Sequence, residues 1–65
     1  MYNLDAYKIG KMIREVRKSK GVSIEELAKR ICKSTTTVYK YERDEVVPDL
    51  ITILEICNVL GIDIN

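Results

Sequence analysis

Sixty-five residues suffice for one small domain with a single core, and 46% hydrophobic residues with three glycines and one proline favour an ordered helical chain. The formal net charge of +1 conceals a polarity: residues 8 to 43 hold all eleven Lys and Arg against four acids (Glu15, Glu25, Glu26, Glu42), a net of +7, while residues 44 to 65 hold five acids and no base, a net of −5. Two cysteines without any histidine exclude a four-ligand zinc site, and no apolar run nears the ~18 residues of a membrane span.

The first helix is predicted from about Asp5 to Lys20, with Ile9, Met12, Ile13 and Val16 as its buried stripe and Gly21 as its stop. Lys8, Lys11 and Lys18 on it read equally as part of a basic face and as solubilising charges. Ser23 stands three residues before Glu26, the spacing of a capping box in which the Ser hydroxyl accepts from the Glu26 amide and the Glu26 carboxylate reaches back. A second helix should therefore start at Ile24, burying Ile24, Leu27, Ala28 and Ile31.

Cys32 and Lys33 leave a turn of roughly three residues before Ser34, a good N-cap for a third helix over about 35 to 43. At ~100° per residue, Val38, Tyr41 and Glu42 face one way and Thr36, Tyr39, Lys40 and Arg43 the other. Two short helices joined by so tight a turn, the second with a polar and cationic outer face, suit a groove of double-stranded DNA. Arg and Lys can address guanine edges or phosphates, hydroxyls either, and threonine methyls the thymine methyl. The candidate DNA-facing set is Ser23, Lys33, Ser34, Thr35, Thr36, Tyr39, Lys40 and Arg43.

After a loop from Asp44 to Pro48, a fourth helix can start at Pro48 or Asp49 and stop at Gly61. Its expected stripe is Leu50, Ile53, Leu54, Cys57 and Leu60, with Ile51 and Val59 pointing away, and Ile62 and Ile64 follow in an alternating tail. Either the tail folds back over these groups, or Val59, Ile62 and Ile64 form a surface on which two copies pair. Cys57 reads as a small core residue and Cys32 as a reduced turn residue, with a disulfide between them left open.

The stretch from Ile9 to Ile64 resembles the Cro/phage-repressor (XRE) class of helix-turn-helix regulators. The resemblance rests on IGKMIREVRKSKGVS, IEELAKRI, STTTVYKYERD and VPDLITILEICNVLGI, specific in this order and spacing. It implies an all-α bundle of four to five short helices, with the third helix in the major groove and amides at the starts of the second and third helices holding phosphates. It also implies a buried pair between Arg17 and Glu42, in which Arg17 could further present its guanidinium to a phosphate. In the family the loop after the recognition helix lies along the DNA backbone, where Asp44 and Glu45 would repel phosphate unless backbone amides alone make the contact.

Three positions differ from the family pattern. Cys32 replaces the usual turn glycine, Ile24 the usual bracing glutamine, and Thr35 and Thr36 cannot make a bidentate amide contact to adenine. The expected function is sequence-specific DNA binding by a cytoplasmic transcriptional repressor that works as a homodimer, without cofactor or metal. Catalysis has no support in the residue inventory, since histidine is absent and no nucleophile has an evident base partner. A protein-interaction or antitoxin-like helix-turn-helix module is the rival reading, kept open by Tyr39 on the outer face.

Overall fold

The first turn of each helix follows a side-chain acceptor or a backbone amide satisfied from afar, and each helix ends in a left-handed residue. In a computed structural model, which describes residues 9 to 62, the elements are α1 (Ile9–Ser19), α2 (Ile24–Arg30), α3 (Thr35–Glu42) and α4 (Leu50–Leu60), with no strand among the described residues. The expected start of the first helix at Asp5 and the tail residue Ile64 lie outside the described residues.

Ser23, Ser34 and Asp49 cap α2, α3 and α4, accepting from the amides of Glu26 at 3.0 Å, Thr37 at 3.1 Å and Thr52 at 2.8 Å. Bonds from the Thr52 side chain and amide hold the Asp49 carboxyl below its ordinary value. Only half of the expected capping box forms. The Glu26 carboxylate turns away from Ser23 and accepts from Arg30 Nε at 2.7 Å, one helical turn on, where an exposed pair costs no distortion of the cap.

The four C-termini share one construction, the double bond of a Schellman turn. At α1 the amides of Gly21 and Val22 donate to Lys18 and Arg17 carbonyls, both at 3.0 Å. The pairs Cys32 to Lys29 and Lys33 to Ala28 repeat this at α2, Asp44 to Tyr41 and Glu45 to Lys40 at α3, and Gly61 to Asn58 and Ile62 to Cys57 at α4. The residue at the bend is left-handed each time: Gly21, Cys32, Asp44 and Gly61 have φ of 70°, 58°, 59° and 69°. Cys32 thus takes the left-handed conformation that glycine would adopt at the bend between α2 and α3.

Both α1 and α2 pack against α3, and α4 packs across α1 and α2. The core is Ile13, Ile24, Leu27, Ala28, Ile31, Val38, Tyr41, Ile56 and Leu60, with Ile9, Val16, Val22, Val59 and Ile62 partly buried around it. The second-helix stripe is as expected, but two others are not. Met12 of α1 is exposed, and the buried side of the helix is instead that of Gly10, Ile13 and Arg17, where Gly10 lets α3 approach. In α4, Leu50 and Leu54 are 70% and 47% exposed, whereas Thr52 and Ile56 are buried beside Cys57 and Leu60. That helix is apolar on nearly every side, so its periodicity leaves its rotation to be set by packing on α1 and α2. Val59 and Ile62 spend much of their surface on the core, so the reading in which the tail covers the core describes them. Cys32 is exposed, Cys57 is buried, and both are free thiols. No described helix is long and apolar enough to cross a membrane.

Candidate nucleic-acid interface

Helix α3 is held from behind before anything faces outward. Arg17 of α1 is 8% exposed and Glu42 of α3 is 9% exposed. Arg17 Nε donates to Glu42 Oε2 at 2.7 Å and Nη2 to Oε1 at 3.2 Å, a two-pronged pair, while Nη1 donates to the Val22 carbonyl at 2.8 Å. The fork geometry of guanidinium and carboxylate fixes both distance and angle between α1 and α3. Three of the five guanidinium N–H groups are bonded within the chain, so Arg17 braces α3 against α1.

On the inner side of α3, Val38, Tyr41 and Glu42 are buried. The outer side carries Thr36, Tyr39, Lys40 and Arg43, all exposed, as the helical projection requires. Ser23, Lys33 and Ser34 are exposed on the turns that lead into α2 and α3, and Thr35 is half-buried at the start of α3. Ser34 serves first as a cap: its Oγ takes the Thr37 amide and lies 2.9 Å from Thr37 Oγ1. Ser23 is occupied in the same way by Glu26.

The two carboxylates after α3 have partners within the chain. Asp44 Oδ1 accepts from the Gly10 amide at 3.0 Å, and Glu45 Oε2 lies 2.8 Å from Arg43 Nε. Both members of the Arg43–Glu45 pair are exposed, a geometry worth little in water and easily exchanged for another anion. The expected repulsion between this loop and a phosphate backbone is thereby reduced.

Sequence reasoning did not single out Arg14. It lies one turn before Lys18 on α1, and the two flank Arg17 at the mouth of a cleft of about 370 Å³ whose other walls include Tyr39 and Arg43. The signal was present, since residues four apart share a helix face and Arg17 sits in the same row. No group of residues suited to hold a metal ion occurs among the described residues.

A comparison with curated proteins finds no match. The profile of the helix-turn-helix family matches residues 13 to 65, a span that contains the Arg17–Glu42 brace, the bend at Cys32 and all of α2, α3 and α4. The chain therefore belongs to the Cro/phage-repressor, or XRE, class of helix-turn-helix proteins, a family of DNA-binding regulators.

Proposed function

We propose that the protein is a sequence-specific double-stranded DNA-binding regulator, a cytoplasmic repressor that acts by occluding a promoter, and that two copies bind together. The observation that carries this reading is the outer face of α3, where Thr36, Tyr39, Lys40 and Arg43 are exposed side by side while the opposite face is locked to α1 through Arg17 and Glu42. A rigid helix with two hydroxyl-bearing residues and two cations in one row matches what major-groove reading needs: donors for guanine edges, a methyl for thymine, and charge for phosphate. Ser23, Lys33, Ser34 and Thr35 lie at or just before the starts of α2 and α3 and are assigned contacts with the backbone.

Pairing follows from size. One helix this short reads only a few base pairs, and closed two-fold pairing doubles the site. Val59 and Ile62 are partly buried against the core, whereas Leu50, Ile51 and Leu54, with Val46 and Val47 in the preceding loop, are exposed, so the surface assigned to pairing is this apolar face.

Selection of bound duplexes from a randomised pool tests binding and reads the operator at once. On the selected duplex, Lys40→Ala or Arg43→Ala should cost ~1 to 3 kcal/mol and flatten discrimination at one base position where the side chain touches a base, or weaken all sequences alike where it touches phosphate. Binding unchanged in both variants would overturn the assignment of this face. The rival module that grips a protein partner places its apolar anchors on the presented helix, whereas α3 offers Tyr39 alone.

A further inference from the structure

We propose that Asn58 decides how two copies of this chain align along α4: the two helices run parallel, and the side-chain amide of Asn58 bonds to its counterpart in the second copy. This rests on the reading above in which the exposed face of α4 pairs two copies, and adds to it the residue that sets direction and register. At ~100° per residue, Leu54, Asn58 and Ile51 fall within ~60° of one another, with Leu50 on one flank and Glu55 on the other. All five are exposed, so Asn58 stands in the middle of the apolar stripe and not at its edge. Among the described residues its side chain makes no hydrogen bond, and only its backbone carbonyl is used, by the Gly61 amide.

Ile51, Leu54 and Asn58 are three and then four residues apart, the spacing of a seam along which two helices interlock. A β-branched residue followed by leucine in that seam favours two strands over three or four. Aliphatic groups alone would accept an apolar surface in either direction. Asn58 removes that tolerance, because a primary amide that is buried without a partner is penalised. It carries both donors and an acceptor, so one amide satisfies another across a two-fold axis, where a residue meets its own copy. An antiparallel pair centred on Leu54 would instead set Asn58 against Ile51 and leave both amides unbonded.

Charge favours the same arrangement. Residues 44 to 65 hold five acids and no base, so nothing on the outer side of α4 can neutralise an acid of the second copy. In the parallel pair each Glu55 flanks Leu50 of the second copy, and the two Glu55 side chains lie on opposite sides of the seam. A basic helix of another protein would suit Glu55, but it would need an amide of its own at the height of Asn58. A second copy supplies that amide by symmetry.

The experiment uses the full chain with a nitroxide on Cys32, whose thiol is exposed while that of Cys57 is buried. Sedimentation gives the oligomeric state, and pulsed electron resonance gives the distance between the two labels. The wild type should form a dimer with one label distance. Asn58→Leu and Asn58→Ala should each give two or more distances, and Asn58→Leu should associate about tenfold or more tightly, because no amide is then buried. Asn58 is exposed in the single chain, and an unchanged far-ultraviolet spectrum verifies that both variants fold. In dimers with one isotope-labelled copy, magnetisation from the Asn58 side-chain amide should reach the Leu54 methyls of the second copy and not those of its Ile51. A single distance kept in both variants, several distances in the wild type, or transfer to Ile51 overturns the role of Asn58 and leaves pairing through α4 standing. A wild-type chain that stays monomeric, or a dimer that Ile51→Asp leaves intact, overturns the pairing face itself and the alignment with it.

Discussion

The amide of Gly10 donates to the Asp44 carboxylate at 3.0 Å, joining the first described turn of α1 to the residue at which α3 ends. The contact requires glycine. A Cβ at position 10 would sit 2.7 Å from the Glu42 carbonyl and 2.8 Å from Asp44 Oδ1, and closer still to the Tyr41 carbonyl, and backbone cannot swing aside as a side chain can. Gly10→Ala should therefore push α1 off α3 and cost ~1 to 3 kcal/mol or more, enough to unfold much of a domain whose core supplies ~3 to 5 kcal/mol. Thermal unfolding by circular dichroism checks this. A melting temperature equal to that of the wild type would mean the two helices tolerate a wider spacing.

Cys32 and Asp44 occupy the same left-handed conformation at the ends of α2 and α3, yet glycine at the two positions should act in opposite directions. A non-Gly residue there carries ~1 to 2 kcal/mol of steric cost, partly offset by the greater freedom glycine has in the unfolded chain. Cys32 is exposed with a free thiol, so Cys32→Gly should stabilise by up to ~1 kcal/mol. Asp44→Gly gains the same relief but strands the Gly10 amide, and should destabilise. Denaturant midpoints of the two variants decide the matter; a loss of stability in Cys32→Gly would show that its side chain contributes something beyond filling the bend.

Arg17 and Glu42 are each stranded by loss of the other. A buried pair broken on one side typically costs ~3 to 5 kcal/mol, whereas an apolar replacement of both members is often tolerated. Glu42→Ala should thus melt far lower than Glu42→Ala combined with Arg17→Met. Thermal unfolding of all four members of the cycle measures the coupling, and additive losses would mean the bidentate contact carries no net energy.

What the sequence discloses here is what local chemistry decides. Ser23, Ser34 and Asp49 cap where short polar side chains precede apolar periods, Gly21 and Gly61 stop helices, and the inward set of α2 and α3 follows from a clear 3.6-residue period. The outward row of Thr36, Tyr39, Lys40 and Arg43 was legible for the same reason. The rotation of α4 was not, because Leu50, Ile51, Ile53, Leu54, Ile56 and Val59 give it apolar residues on most sides and only its neighbours select Ile56 over Leu54. Gly10 and Asp44 were hidden for another reason. Their roles depend on which residue of a distant helix comes close, and spacing along one helix carries no record of that.

Leu50 and Ile51 are 70% and 71% exposed, and Leu54 shares their face of α4, so water meets a stripe of large aliphatic groups that a lone domain gains nothing by displaying. If two copies bury this stripe against each other, Ile51→Asp should convert a dimer to a monomer in sedimentation and remove the concentration dependence of the melting temperature, while leaving the monomer folded, because Ile51 contributes little to its own core. Ile62→Asp should do the reverse, lowering stability, since Ile62 packs against the core. On DNA the paired protein should select half-sites about one helical turn apart, ~34 Å, so that both copies of α3 meet the same side of the duplex. Ile51→Asp should then bind a single half-site as well as the wild type does and lose the gain from the second. A wild-type chain that sediments as a monomer and occupies one half-site with full affinity would remove α4 from the pairing and leave its exposed stripe to a different partner.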